Sequence, residues 1–213
     1  MPTLEAARRW YPENDPVHGF DHVLRVLALA ERLAMAEGAE LEIVRAAALL
    51  HDAYPRDSVE AGERLGHQHS SAEFAAQVLQ AEGWAPERIE AVQHCIRAHR
   101  FRDLSEPPRS LEAKILFDAD KLDAIGAVGV VRAIGYALRA GQPAYARPSP
   151  RFLETGQLEA GEAHSAYHEY LFKLSKLKDR LHTVAARQLA EPRCQLMEAF
   201  FRQLAGEMSA AQE

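Results

Sequence analysis

The sequence predicts an all-α fold, a helical bundle in one domain spanning residues 1–213. Three observations carry this. Apolar residues recur at three- and four-residue spacing in segment after segment, no stretch alternates as a strand would, and the segments are separated by Gly, Pro and Ser. With 47% of 213 residues hydrophobic, the chain can build a sizeable core.

The elements follow in order. From residue 20, Val23, Val26, Leu27, Ala30 and Leu33 trace one helical face that carries His22 and ends at Gly38. A second helix, rich in Ala and Leu, runs from about Leu41 to His51 and must stop before Pro55, which places His51 and Asp52 at a helix C-terminus. A short helix is expected over Ser58 to Leu65. The serines of "HQHSS" then introduce another helix with His69 at its entry. Pro86 opens the next, whose stripe of Ile89, Val92 and Ile96 ends at His99. After the loop "SEPPRS", a long helix is expected from near Ser110 through Leu138, with Asp118, Asp120 and Asp123 in its middle and Gly126 and Gly129 permitting close packing. The motif-bearing core thus covers about 14–139. Residues 141–164 read as a long irregular loop, and 165–207 as one or two amphipathic helices with Pro192 as a place to kink.

Charge and cysteine content narrow the class. The net charge of −6 comes from interspersed acids and bases, so no basic face offers itself to nucleic acid. Cys95 and Cys194 fall far apart in apolar helical patterns, as expected of reduced thiols in the cytoplasm. The first residues lack an export signal's apolar stretch, and no run is apolar enough for a membrane span.

Four positions on or at the ends of apolar helices ask for a common explanation: His22, His51, Asp52 and Asp120. Two imidazoles and two carboxylates from three helices make a mixed nitrogen and oxygen donor set for one divalent cation such as Mn²⁺, Fe²⁺, Zn²⁺ or Mg²⁺. Adjacent His51 and Asp52 can both reach one ion only where the backbone turns, which a helix end before proline allows.

The stretches "HGFDHVLRVLALAERLA", "AALLHDA" and "DADKLDAIGAVGVVRA", in that order, resemble the HD-domain superfamily of metal-dependent phosphohydrolases. More narrowly they are similar to its small stand-alone bacterial branch, which includes nucleoside triphosphate pyrophosphohydrolases, and the resemblance runs from about residue 14 to 205. It implies metal ligation by His22, His51, Asp52 and Asp120, the last preferred over Asp118 because "ADKL" matches the superfamily pattern. Asp118 and Asp123 then either orient ligands or form a helix-surface acid cluster. The resemblance also implies phosphate or second-metal contacts for His69 and His99. His18, in "HGFDH", reads as a pocket-lining histidine or as an exposed loop residue. His94 reads as structural or exposed, while His67, His164 and His182 have no supporting pattern.

Such a site implies hydrolysis of a nucleotide phosphoanhydride, a triphosphate going to monophosphate and pyrophosphate. A phosphomonoesterase, a cyclic-nucleotide phosphodiesterase and a non-catalytic nucleotide sensor are the alternatives. The "IGYALRAGQP" stretch lacks the Gly-Tyr-Pro signature of the cyclic-dinucleotide branch. "HDAYPRD" also lacks the acids that follow HD in alarmone hydrolases, leaving Asp57 or Asp52 itself to take the proton. Lys121, Arg56, Arg132 and Lys173 are the cations available to a phosphate, or else ordinary surface charges. Tyr145, Arg147 and Phe152 in the long loop offer stacking and charge to a nucleotide, or pack locally. The partner expected is a small phosphorylated molecule, with no nucleic acid and no membrane.

Overall fold

The computed structural model of the chain describes residues 1–11, 19–53, 67–100 and 106–210. Among these there are ten α-helices and no strand, in agreement with the predicted class. The helix expected over 58–65, and His18, Arg56 and Asp57, lie outside the described residues. Two compact units are distinguished: Met1–Asp120 with His182–Ala186, and Lys121–Leu181 with the chain from Arg187 onward.

The first unit begins with α1 (Leu4–Arg8), capped by the Thr3 hydroxyl. Helix α2 (Phe20–Glu37) buries Val23, Val26, Ala30 and Leu33, the face its spacing announced, and stops at Gly38 in the left-handed conformation. Helix α3 (Leu41–Leu50) is buried nearly all round, as a central helix must be, and packs against α1, α2, α4 and α5. Burying a Leu, Ile or Val side chain contributes about 1.5–3 kcal/mol, so Ile43, Val44, Leu49 and Leu50 fix α3 firmly. Its last three carbonyls are used: Leu49 accepts from the Tyr11 hydroxyl at 2.9 Å, Ala48 from the His51 ring at 2.8 Å, and Leu50 from the Ala53 amide at 3.1 Å. Helices α4 (His67–Ala81) and α5 (Pro86–Ala98) pair alongside it, and α5 ends at His99. Helix α6 (Leu111–Asp123) starts where Ser110 accepts the Ala113 amide, and contributes its length through Asp120 to this unit.

In the second unit the single helix expected from Ser110 to Leu138 is broken. Helix α6 ends at Asp123 and α7 (Gly126–Arg139) starts afresh, because Ile125 is extended and Gly126 takes φ 78°, a turn that a side chain would resist. Gly129 does pack closely, since a Cβ there would collide with the Ala124 carbonyl and the Met197 methyl. The long 141–164 segment contains α8 (Pro150–Thr155), capped by Ser149, and leads into α9 (Ala166–Phe172), capped by Ser165. Two short 3₁₀ turns precede α10 (Val184–Ala210), which carries Pro192 within it. Cys95 is buried and Cys194 half-buried, and neither forms a disulfide. Among the described residues no helix is long and apolar enough to cross a membrane.

Candidate metal centre

The cluster is assembled from three helices of the first unit. His22 sits in the first turn of α2, where its amide bonds to the Gly19 carbonyl and its ring is buried. His51 is the cap of α3, and the chain turns at Asp52, closed by the Ala53 amide on Leu50. That turn lets neighbours in sequence face one point. His22, His51 and Asp52 present ligand atoms all within 4.8 Å of one another. From α6, the Asp120 carboxylate comes to 3.5 Å from His22 Nε2.

The hydrogen bonding of the imidazoles decides what the cluster can hold. Ala48's carbonyl only accepts, so the His51 Nδ1 bonded to it is the donor and Nε2 is the nitrogen turned toward the cluster. That Nε2 stands 3.4 Å from His22 Nε2 and 3.7 Å from an Asp52 oxygen. The two ring nitrogens are within reach of one another and of both carboxylates, so a proton or a cation can sit among them. Donors sharing one ion at about 2.1 Å stand roughly 3.0–3.4 Å apart, so the spacing and the two-nitrogen, two-carboxylate chemistry fit a divalent cation. The side chains of Asp52 and Asp120 are each 17% exposed, against 2% for His22 and none for His51, so the carboxylate side of the cluster is the one open to solvent.

His99 joins the same centre. Its Nδ1 donates to the Ile96 carbonyl at 2.5 Å, and its Nε2 lies 3.6 Å from the other Asp52 oxygen, with its ring edge-on to His51. Asp118 does not join it. The Asp118 carboxylate is fully buried and accepts the His182 amide at 2.8 Å and the Thr183 amide and hydroxyl at 2.7 Å each. Burial raises its pKa, and those donors pull it back.

The other expected residues are placed as follows. His69 is exposed in the first turn of α4, away from these contacts among the described residues. Lys121 is buried and falls in the second unit. Arg132 is committed to Asp123 at 2.6 Å and Lys173 to Glu169 at 2.8 Å. Tyr145 and Phe152, candidates for stacking on a base, are instead buried against Tyr167 and His168. His94 is structural: it bonds Glu106, which also takes Arg97, and accepts the Arg109 amide. The two carbonyls, of Ala48 and Ile96, that orient the imidazoles are not among the residues the motifs point to. Only the fact that each precedes its histidine by three residues at a helix end could have signalled them.

A family model described as HD domain matches residues 19–125. The chain is 38% identical over 193 residues to the uncharacterized protein YpgQ of Bacillus subtilis (strain 168), covering 88% of this chain and 82% of that protein. It is similar to the crystal structure of Bacillus subtilis YpgQ in complex with ADP, with a TM-score of 0.71 and 32% identity over 96% of this chain and 97% of that one. An HD-superfamily hydrolase from Bacillus thuringiensis matches with a TM-score of 0.69 and 27% identity, covering 97% of this chain and 95% of the other.

Proposed function

The chain belongs to the HD domain family, and on that footing we propose that it is a metal-dependent phosphohydrolase that cleaves a nucleoside triphosphate to the monophosphate and pyrophosphate. One observation carries the reading: ring nitrogens and carboxylate oxygens from three helices stand 3.4–3.7 Å from one another, a spacing that a shared divalent cation fits. The ADP held by Bacillus subtilis YpgQ supports a nucleotide as ligand.

His22, His51, Asp52 and Asp120 would hold the ion, which when bound acidifies water and polarises a phosphoryl oxygen. The chain's own groups do the rest. Ala48 keeps the His51 ring in the tautomer that faces inward. Asp52, with one oxygen toward His51 and the other toward His99, can take the proton of the attacking water. His99 can donate to a phosphate oxygen when charged. The water oxygen bonds to the α-phosphorus, the bridging anhydride bond breaks, and its oxygen leaves with pyrophosphate. Asp57 as base and His69 as a phosphate contact rest on the family resemblance, and His18 and Lys121 as substrate contacts on their nearness to the motifs in sequence.

The test is metal analysis of the purified protein, followed by incubation of Mn²⁺-loaded protein with a nucleotide panel and direct detection of pyrophosphate. Wild type should release it, and Asp52→Ala and Asp120→Ala should lose both metal and activity. Metal retention with tight nucleotide binding and no turnover would overturn the enzyme reading in favour of a sensor.

A further inference from the structure

Helix α6 carries two aspartates, 118 and 120, two positions apart. Two steps of an α-helix turn about 200°, so the pair points to opposite sides. Asp120 faces His22, while Asp118 is buried and receives three hydrogen bonds from residues 182 and 183, the head of α10. The contact is built with care for polar groups. The Thr183 hydroxyl, while donating to Asp118, accepts the Ala186 amide at 3.2 Å, and the Ala185 amide goes to Glu37 at the end of α2 at 2.8 Å. Amides that a helix start leaves over are therefore met by carboxylates from α2 and α6, the helices that carry His22 and Asp120. Phe117 adds an edge contact with the His182 ring at 4.9 Å.

We propose that Asp118 is a positioning residue for the metal centre: by locking α6 onto Thr183 at the head of α10, it sets the rotation and register of the helix turn that aims Asp120. The proposal rests on the metal-centre reading above. A 30° rotation of that turn swings a carboxylate off a shared ion, and a buried carboxylate with three donors resists such rotation more firmly than apolar contacts, which lack direction. Residue 183 thereby acts on an ion it never touches.

The test is calorimetric titration of Mn²⁺ into metal-free protein, with melting of the metal-free state measured alongside. Thr183→Val removes the hydroxyl without touching α6, and Asp118→Asn keeps the shape but sets amide hydrogens against donors. Both should bind Mn²⁺ about 10-fold or more weakly, the range for groups that support ligands. Thr183→Ser should restore wild-type affinity. Ser165→Ala, which removes a comparable cap in the second unit, should melt lower with unchanged affinity. If Thr183→Val and Asp118→Asn melt lower yet bind like wild type, the role is stability alone and the proposal fails. If wild type binds no divalent ion, the metal-centre reading fails, and this proposal with it.

Discussion

Two clusters of histidine and carboxylate, one in each unit, have the same ingredients and different bonding. In the second unit His168 is fully buried, with Nε2 on Glu162 at 3.1 Å and Nδ1 on the Ser165 hydroxyl at 2.7 Å. Glu162 also accepts the Ser149 amide and hydroxyl and the Glu159 amide, each at 2.7 Å. Each acceptor there meets a donor, so the cluster is complete in itself and pins the 141–164 segment to α9. Around His22 and His51 two ring nitrogens and two carboxylates from three helices face one another, the arrangement of a donor set that a cation fits. Residue type alone does not make a site; the direction in which backbone partners turn each ring does.

The comparison breaks most visibly through metal linkage. Metal at 100 times its dissociation constant should stabilise wild type by about 2.7 kcal/mol; Asp52→Ala should show none of this gain in thermal melts, and Ser165→Ala all of it. An Asp52→Ala protein that still gains would make the two clusters alike. Next in size, His99→Gln should keep the metal but lose about 10- to 100-fold in kcat/KM, the worth of a hydrogen bond to a charged group; steady-state kinetics on the panel's preferred nucleotide measure it. Ser165→Ala removes the cap of α9 and a partner of His168, and should cost about 1 kcal/mol in denaturant unfolding.

The last difference appears in acid. Burial by itself would raise the Glu162 pKa, but the Glu159 and Ser149 amides, the Ser149 hydroxyl and His168 outweigh it and hold the carboxyl at about 2, below its ordinary 4.5. A carboxyl lowered on folding adds stability above its unfolded pKa and loses it as pH falls toward its folded one, so this contribution should fade between about pH 4.5 and 2. Melting temperature against pH should fall less steeply there in Glu162→Gln than in wild type, and equal slopes would remove Glu162 from the account.

Much of this was legible beforehand. The apolar faces of α2 and α5 are the ones the spacing marked, because a 3.6-residue period is a local property of the chain. The placement of His51 and Asp52 at a helix end followed from Pro55, and the start of α6 from Ser110. The break at residues 124–125 is not legible in the apolar spacing, which runs on through it; Gly126, taking φ 78° after the extended Ile125, is the residue that allows the turn. Nor was α8, whose "SPRF" start carries a cap and a proline at its first position but was obscured by the Gly and Pro around it.

The sequence by itself determined the helical class, the family and the residue types that can hold a cation, since periodicity, helix ends and motif order are written in neighbours a few positions apart. The tertiary structure decided which of two aspartates faces the histidines and which grips Thr183, and it brought His22, His51 and Asp120 together from three helices. Those choices depend on hydrogen-bond partners up to 65 positions away in the chain, and a bond made across that distance has direction only once the helices have packed.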